Sequence, residues 1–238
     1  MAMLRRTLSG VFQNASDLPL AVNSLPVSGA SRRFVASVAP VANDQPVLAL
    51  PNLGTRSGDL TAANSSTAPL RKFASGRTYL QFDGTDDVLT CANSDATAIG
   101  TGVFTTYVVG RYRSLPTSGH YWPIIDLQGG GGFGFTTQGA NMMMYRGSLF
   151  TTTTATDTNW HVFIGVFNGA SSVFKRDNGT EQTGNPGAEA ISTLKLGSGP
   201  SATKPAIDIA EFGLFDRALD STERAALASS LVSNYAIT

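Results

Sequence analysis

Trp160–Phe167, WHVFIGVF, decides the fold of this chain. Its residues sort at period two. Trp160, Val162, Ile164 and Val166 fall on one face, and His161, Phe163, Gly165 and Phe167 on the other. Successive side chains of a β-strand leave opposite faces, so this alternation reads as a strand. A second stretch, Val103–Arg113 (VFTTYVVGRYR), is β-branched and aromatic throughout, too apolar on both faces for a surface strand. Working outward, Tyr79–Phe82, Val88–Cys91, Tyr121–Leu127, Phe133–Thr137, Asn141–Arg146, Ser172–Arg176, Ile191–Leu196 and Ile207–Phe215 are further strand candidates. Turn signals separate them at Asp83-Gly84, Asn168-Gly169, Asn178-Gly179 and Gly197–Pro200. Asn178-Gly179 carries the composition of a two-residue hairpin turn. Many strands joined by hairpin chemistry, with no helices between them, specify an all-β antiparallel sandwich.

One helix is expected, and it is the last element. Asp220-Ser221-Thr222-Glu223 has the form of a capping box, after which Leu227, Leu231 and Tyr235 recur every four residues. This narrow apolar stripe predicts a short helix against the sandwich edge. Residues 1–32 read differently: Pro19, Pro26, Gly29 and small polar residues break every periodic run, so they predict an extended arm. The domain proper is then 33–238.

Composition narrows the function. The 238 residues carry 17 Lys+Arg and 17 Asp+Glu, and only 14% are charged, against about 25% in a typical soluble domain. Nucleic-acid binding needs a cationic excess to displace counterions, and there is none. With 42% hydrophobic residues the chain is not of the disordered class, and its one cysteine, Cys91, excludes a disulfide scaffold. No apolar stretch approaches the roughly 18 residues that span a bilayer, so membrane insertion is not expected. After Met1–Arg6, the residues Ser9, Gly10, Gln13 and Asn14 interrupt any apolar run, so no secretory signal is read. Hydroxyls and amides dominate the remainder, with Ser and Thr making about a fifth of the chain. Such a surface is buried against protein at far less desolvation cost than ions.

Four blocks in order carry a family resemblance: Tyr79–Leu89 (YLQFDGTDDVL), Phe104–Tyr112, Trp160-His161-Val162 leading through Gly169 to Asp177-Asn178-Gly179, and Ile209–Leu219 (IAEFGLFDRAL) followed by Ser221 and Glu223. Val47–Leu50 with Asn52-Leu53-Gly54 and Gly58-Asp59-Leu60 is similar to the same family's entry strand and loop. Together they resemble laminin-G-like domains of the concanavalin A-like lectin/glucanase superfamily. The resemblance implies a two-sheet jelly roll. Some such relatives bind calcium through loop carboxylates and amides, which points to Asp83, Asp86 and Asp87, three hard oxygen donors within five residues. The alternative is a solvated acidic turn.

The glucanase branch is enzymatic, so its acids matter. Its Glu-x-Asp-x-x-Glu pattern is absent, and Asp208 and Glu211, three residues apart, would leave an ordinary strand on opposite faces. No catalytic residue is assigned. His120 and His161 are the only histidines, without HExxH or a Gly-x-Ser-x-Gly elbow. Gly129–Gly134 satisfies G-x-G-x-x-G, but strand-like residues follow where a dinucleotide site needs a helix. Sugar recognition calls for aromatics to stack and amides or cations for hydroxyls; His120, Tyr121, Trp122, Asn141, Tyr145 and Arg146 offer these near long loops.

The expectation is a non-enzymatic protein. Its composition and opening resemble phage decoration and tail-associated proteins, which implies a homo-oligomer on a virion surface. There it would be made in the host cytoplasm, held to other virion proteins through residues 1–32, and would display a domain for host-surface glycans. The alternatives are a carbohydrate-binding module of a bacterial protein and, third, a glycoside hydrolase.

Overall fold

The computed structural model describes residues 22–91, 102–115, 125–126, 134–138, 141–191, 193–198 and 204–238. The first strands in chain order are β1 (Arg32–Val35), β2 (Ala49–Leu50), β3 (Leu60–Thr61), β4 (Leu70–Ala74), β5 (Arg77–Asp83), β6 (Leu89–Cys91), β7 (Phe104–Tyr112) and β8 (Ile125–Asp126). After them come β9 (Gly134–Gln138), β10 (Asn141–Tyr145), β11 (Leu149–Ala155), β12 (His161–Phe167), β13 (Ser172–Arg176), β14 (Gln182–Gly184), β15 (Leu194–Leu196) and β16 (Ala206–Phe215). The helix α1 (Ser221–Asn234) follows. Among the described residues no helix is long and apolar enough to cross a membrane.

All pairings are antiparallel, and the fold is the expected sandwich. The large sheet runs β14-β13-β12-β7-β16-β5-β4, with β1 also paired to β16. The strand that decided the reading, β12, lies against β7 in unbroken register from His161↔Gly110 to Phe167↔Phe104, and all seven of its residues are buried. The second layer is split into two sheets, β2-β3-β6-β15-β8 and β11-β10-β9. Phe104, Phe163, Phe167, Phe174 and Phe212 of the large sheet share one core with Leu60, Leu89, Leu196, Met142 and Met144 of the small ones. Phe104 and Phe167 stack at 4.6 Å, a separation at which offset rings attract.

The opposite face of the large sheet is equally apolar, through Tyr107, Val109, Val162 and Ile164. The helix covers it with Leu227, Ala228 and Leu231. It lies over the face and not at the edge, because that face would otherwise leave an apolar surface in water. Its start is as expected: Asp220 accepts from the Glu223 N–H at 2.9 Å, and Glu223 accepts in return from the Asp220 N–H at 3.0 Å.

Residues 22–32, the described part of the segment read as an arm, lie on the domain itself. Val27 and Ala30 join the helix-side core, the Ser31 N–H donates to the Leu214 carbonyl at 2.8 Å, and pairing begins at Arg32. Residues 1–21 lie outside the described residues.

The turns hold one agreement and one shift. At Asp83-Gly84, Gly84 has φ +86°, where an added Cβ would stand 3.0 Å from the Ala206 nitrogen. After β13 the positive φ falls on Asp177 and not on Gly179, with the Gly179 N–H donating to the Arg176 carbonyl at 3.0 Å. Asp177 is drawn into that position because its Oδ1 accepts the Val162 N–H at 2.7 Å, locking the turn onto the start of β12.

A candidate ligand-binding cavity at a fork in the sheet

Strand β16 is ten residues long, and no single neighbour covers its outer edge. β5 pairs with its first part, from Asp83↔Ala206 to Leu80↔Ile209. β1 takes over for the rest, from Val35↔Glu211 to Arg32↔Leu214. Two strands thus share one edge end to end, and the start of β5, Arg77-Thr78, diverges where Val35 arrives. On the other edge β16 is bulged at the same level: Ile209 faces Gly110 and Glu211 faces Val109, which leaves Ala210 without a partner. Bulges re-aim the side chains around them.

The fork encloses a cavity of about 580 Å³ lined by Asn23, Arg33, Arg77, Thr78, Glu211 and Tyr235 among others. That is within the range of small-molecule sites. Glu211 is 2% exposed and saturated with donors. Its Oε1 accepts from Arg33 Nε at 2.8 Å and from the Tyr107 hydroxyl at 2.7 Å, and its Oε2 from the Tyr235 hydroxyl at 2.6 Å. Burial works against the Arg33 charge, but Glu211 outweighs it and raises the pKa of that guanidinium. Burial and the same carboxylate push both tyrosine hydroxyls up, so they remain donors.

Arg77 has a different environment. One of its terminal nitrogens donates to the Tyr235 carbonyl, and its guanidinium lies over the Trp160 ring, 4.5 Å from the centroid. The Arg111 guanidinium lies 5.1 Å from the centroid of that indole, with its Nε 2.7 Å from Asp208 Oδ2. Burial and the Arg111 charge lower the Arg77 pKa. Among the described residues no carboxylate pairs with Arg77. The Nε of Arg77 and the Oγ1 of Thr78 are buried without a hydrogen-bond partner.

The bulge corrects the expectation for Asp208 and Glu211. Glu211 reaches Tyr107, and Asp208 reaches Arg111, which stacks on Trp160; Tyr107 and Trp160 both belong to the helix-side cluster. Both acids therefore face the helix side, where a regular strand would have separated them. Only Glu211 lines the cavity; Asp208 is fully buried, and burial raises its pKa despite Arg111.

The other expected site residues lie elsewhere. His120, Tyr121 and Trp122 fall outside the described residues, as does Gly129–Phe133. Asn141 and Tyr145 stand at the two ends of β10 and are partly buried. Arg146 is not a surface group: it is 1% exposed, its Nε donates to the Glu189 carbonyl at 2.8 Å, and its Nη1 donates to the Gly102 carbonyl at 2.9 Å. Asp83, Asp86 and Asp87 do converge, with one carboxylate oxygen from each within 4.8 Å of the others. Asp83 Oδ1 already accepts the Thr85 N–H, at 2.7 Å, and Asp87 Oδ2 accepts the Asp83 N–H, at 2.8 Å. The set is hard and anionic, as calcium requires, but it supplies only part of a shell of six to eight oxygens.

No protein-family model and no curated protein matches the chain. Solved structures do. A Trypanosoma rangeli sialidase superposes with TM-score 0.63 at 16% identity over 87% of this chain and 34% of the sialidase chain. The Botulinum neurotoxin serotype G binding domain superposes with TM-score 0.61 at 10% identity over 86% of this chain and 51% of that chain. The binding domain of Paraclostridial Mosquitocidal Protein 1 gives TM-score 0.59 at 12% identity, over 85% of this chain and 52% of that chain. This chain spans about a third of the sialidase and half of the toxin domains. At these identities the likeness establishes the fold alone, a β-sandwich.

Proposed function

We propose that this chain is a carbohydrate-binding β-sandwich domain that acts without catalysis. The observation that carries this reading is the fork cavity, a concave site of small-molecule size whose walls join hydroxyl, amide, guanidinium and carboxylate groups to apolar ones such as Val22, Val35 and Ala236, with the half-buried Trp160 indole against Arg77. The likeness to a sialidase and to toxin binding domains supports it at the level of fold. The non-catalytic part rests on the acids. The common glycosidase mechanisms use two carboxyls on one opening, one of them free to give up and recover a proton. Sialidases use a tyrosine nucleophile instead, but the Tyr235 hydroxyl donates to Glu211 and its pKa is pushed up by burial, which works against that role. Glu211 is held by three donors, and Asp208 is buried against Arg111.

A glycan array probed with the full chain tests the reading. Binding of a defined subset of glycans, reduced in a Tyr235→Ala variant that opens the cavity wall, is the expected result. No binding at millimolar glycan overturns it.

The narrower form of the proposal is that the domain is displayed on a bacteriophage-like particle as a homo-oligomer, attached through the N-terminal segment. The low charge of the chain favours burial against other protein. Because residues 25–32 are built into the domain, the variant to make is a deletion of residues 1–21. Retained folding with lost incorporation or lost oligomerisation supports attachment; unchanged assembly removes it.

A further inference from the structure

We infer that the fork cavity takes a carboxylated sugar, with Arg77 receiving the carboxylate and the Thr78 hydroxyl bonding a ring hydroxyl. This deepens the carbohydrate reading and rests on it.

The charge balance of the fork points to an anion. Two guanidiniums line it, from Arg33 and Arg77, and a third, from Arg111, shares the Trp160 ring with Arg77. Two are neutralised, Arg33 by Glu211 and Arg111 by Asp208. Arg77 is left over. Its half-buried guanidinium has a terminal N–H on a backbone carbonyl, while its Nε is buried without a partner. A donor shielded from water and left unpaired costs free energy that a ligand oxygen would return. Arg77 is also held in place before any ligand arrives, by the Trp160 ring and by the Tyr235 carbonyl. Fixing a guanidinium in advance lowers the entropy lost on binding.

The shape of the charge favours a carboxylate over a phosphate. A guanidinium matches a carboxylate as two parallel N–H···O bonds. One surplus positive charge balances one negative charge, whereas a phosphate monoester carries about −1.5 to −2 near neutral pH. Glu211 in the same wall penalises the excess. Thr78 supplies the second half of the assignment. It is 5% exposed, lines the cavity, and its Oγ1 has no partner. A hydroxyl both donates and accepts, which suits another hydroxyl. A ligand with one carboxylate and several hydroxyls satisfies Arg77 and Thr78 together, and a uronic or sialic acid is such a ligand.

The test is titration calorimetry of the full chain with a uronate-bearing oligosaccharide, its carboxyl-reduced neutral counterpart, and the matching sugar phosphate. The acidic form is expected to bind at least about tenfold more tightly than the neutral form, the range of a charge-assisted hydrogen bond. Arg77→Gln should remove that preference, bringing the acidic and neutral forms to within about twofold of each other, and Arg77→Lys should restore part of it. Thr78→Val should weaken both sugars by roughly threefold to tenfold. It should do so with an unchanged or raised thermal midpoint, because it deletes a buried hydroxyl that has no partner. If Arg77→Gln does not fold, Arg77→Lys and Thr78→Val carry the test. Equal binding of the acidic and neutral forms, or a preference that survives in Arg77→Gln, overturns this inference and leaves the carbohydrate reading standing. Tighter binding of the phosphate overturns the carboxylate assignment alone. Binding of none of the three overturns this inference, and the glycan array then decides the carbohydrate reading.

Discussion

The Tyr235 hydroxyl donates to Glu211 Oε2 at 2.6 Å, joining the residue that ends the helix to the bulge of the central strand. Among the described residues no other donor reaches that oxygen. Tyr235→Phe should cost about 1–2 kcal/mol, because a buried carboxylate oxygen loses its partner while the ring packing stays. Equilibrium urea unfolding measures this, and a change within error would show that water replaces the bond.

His161 sits between two carboxylates, with Nδ1 2.6 Å from Asp177 Oδ2 and Nε2 3.0 Å from Asp157 Oδ1. Burial lowers its pKa, but the hydrogen bonds and charges of the two aspartates outweigh burial and raise it above 6.5. A group whose pKa rises on folding contributes fully below its unfolded pKa, and that contribution is lost as pH rises through the folded value. Stability should therefore decline with pH from about 6.5 up to the raised value, and a His161→Asn variant should not share that decline. Parallel pH profiles for the two proteins would show that His161 does not titrate in this way.

Burial, with the charges of Asp83 and Asp86, lifts the Asp87 carboxyl to about 6. The sign is the same: its ionisation above about 6 weighs against the fold. Asp87→Asn keeps an acceptor for the Asp83 N–H, so it should raise stability at pH 7.5 by on the order of 1 kcal/mol, screening included. Calcium discriminates further. If the three aspartates hold the ion, millimolar calcium stabilises the wild-type protein and not Asp87→Asn. Absence of any calorimetric heat with calcium counts against the metal reading.

Gly213 lies against Tyr107 so closely that an added Cβ would stand 2.2 Å from a ring carbon. Tyr107 is fully buried and tied to Glu211, so its ring has nowhere to go. Gly213→Ala should destabilise by about 3 kcal/mol through overpacking. A loss under about 1 kcal/mol in chemical denaturation would mean that the sheet yields there.

The sandwich was legible wherever apolar alternation was strong. Strands β7, β12, β13 and β16 fall on their expected segments to within a residue or two, because burial on both faces writes itself into short β-branched and aromatic runs bounded by turn residues. The strands missed are those without that signal. In β4, Leu70–Ala74, Arg71 and Lys72 interrupt the run. β11 is a stretch of threonines, four of them consecutive, with most of its residues at least partly exposed. Of the cavity, Glu211 was in view as an acid and Tyr235 as a helix-stripe residue, and Glu211 was separated from Asp208 because a one-residue bulge leaves no mark in the sequence. Arg33, Arg77 and Tyr235 converge from three distant parts of the chain, so no local spacing could have grouped them. Capping chemistry at Asp220 and the turn at Gly84 were readable because they are local.

The shared edge of β16 also sets an order of events. β1 pairs Arg32 with Leu214, and Ser31 binds the Leu214 carbonyl across 183 positions of chain. Neither β1 nor the mouth of the cavity can exist until almost the whole chain has been synthesised, and closing so long a loop is slow relative to local hairpins. The sandwich centre around β7, β12 and β13 can organise earlier, from contacts nearer in sequence. The fork is then the last part to assemble and, by reversal, the first to open when β1 peels away.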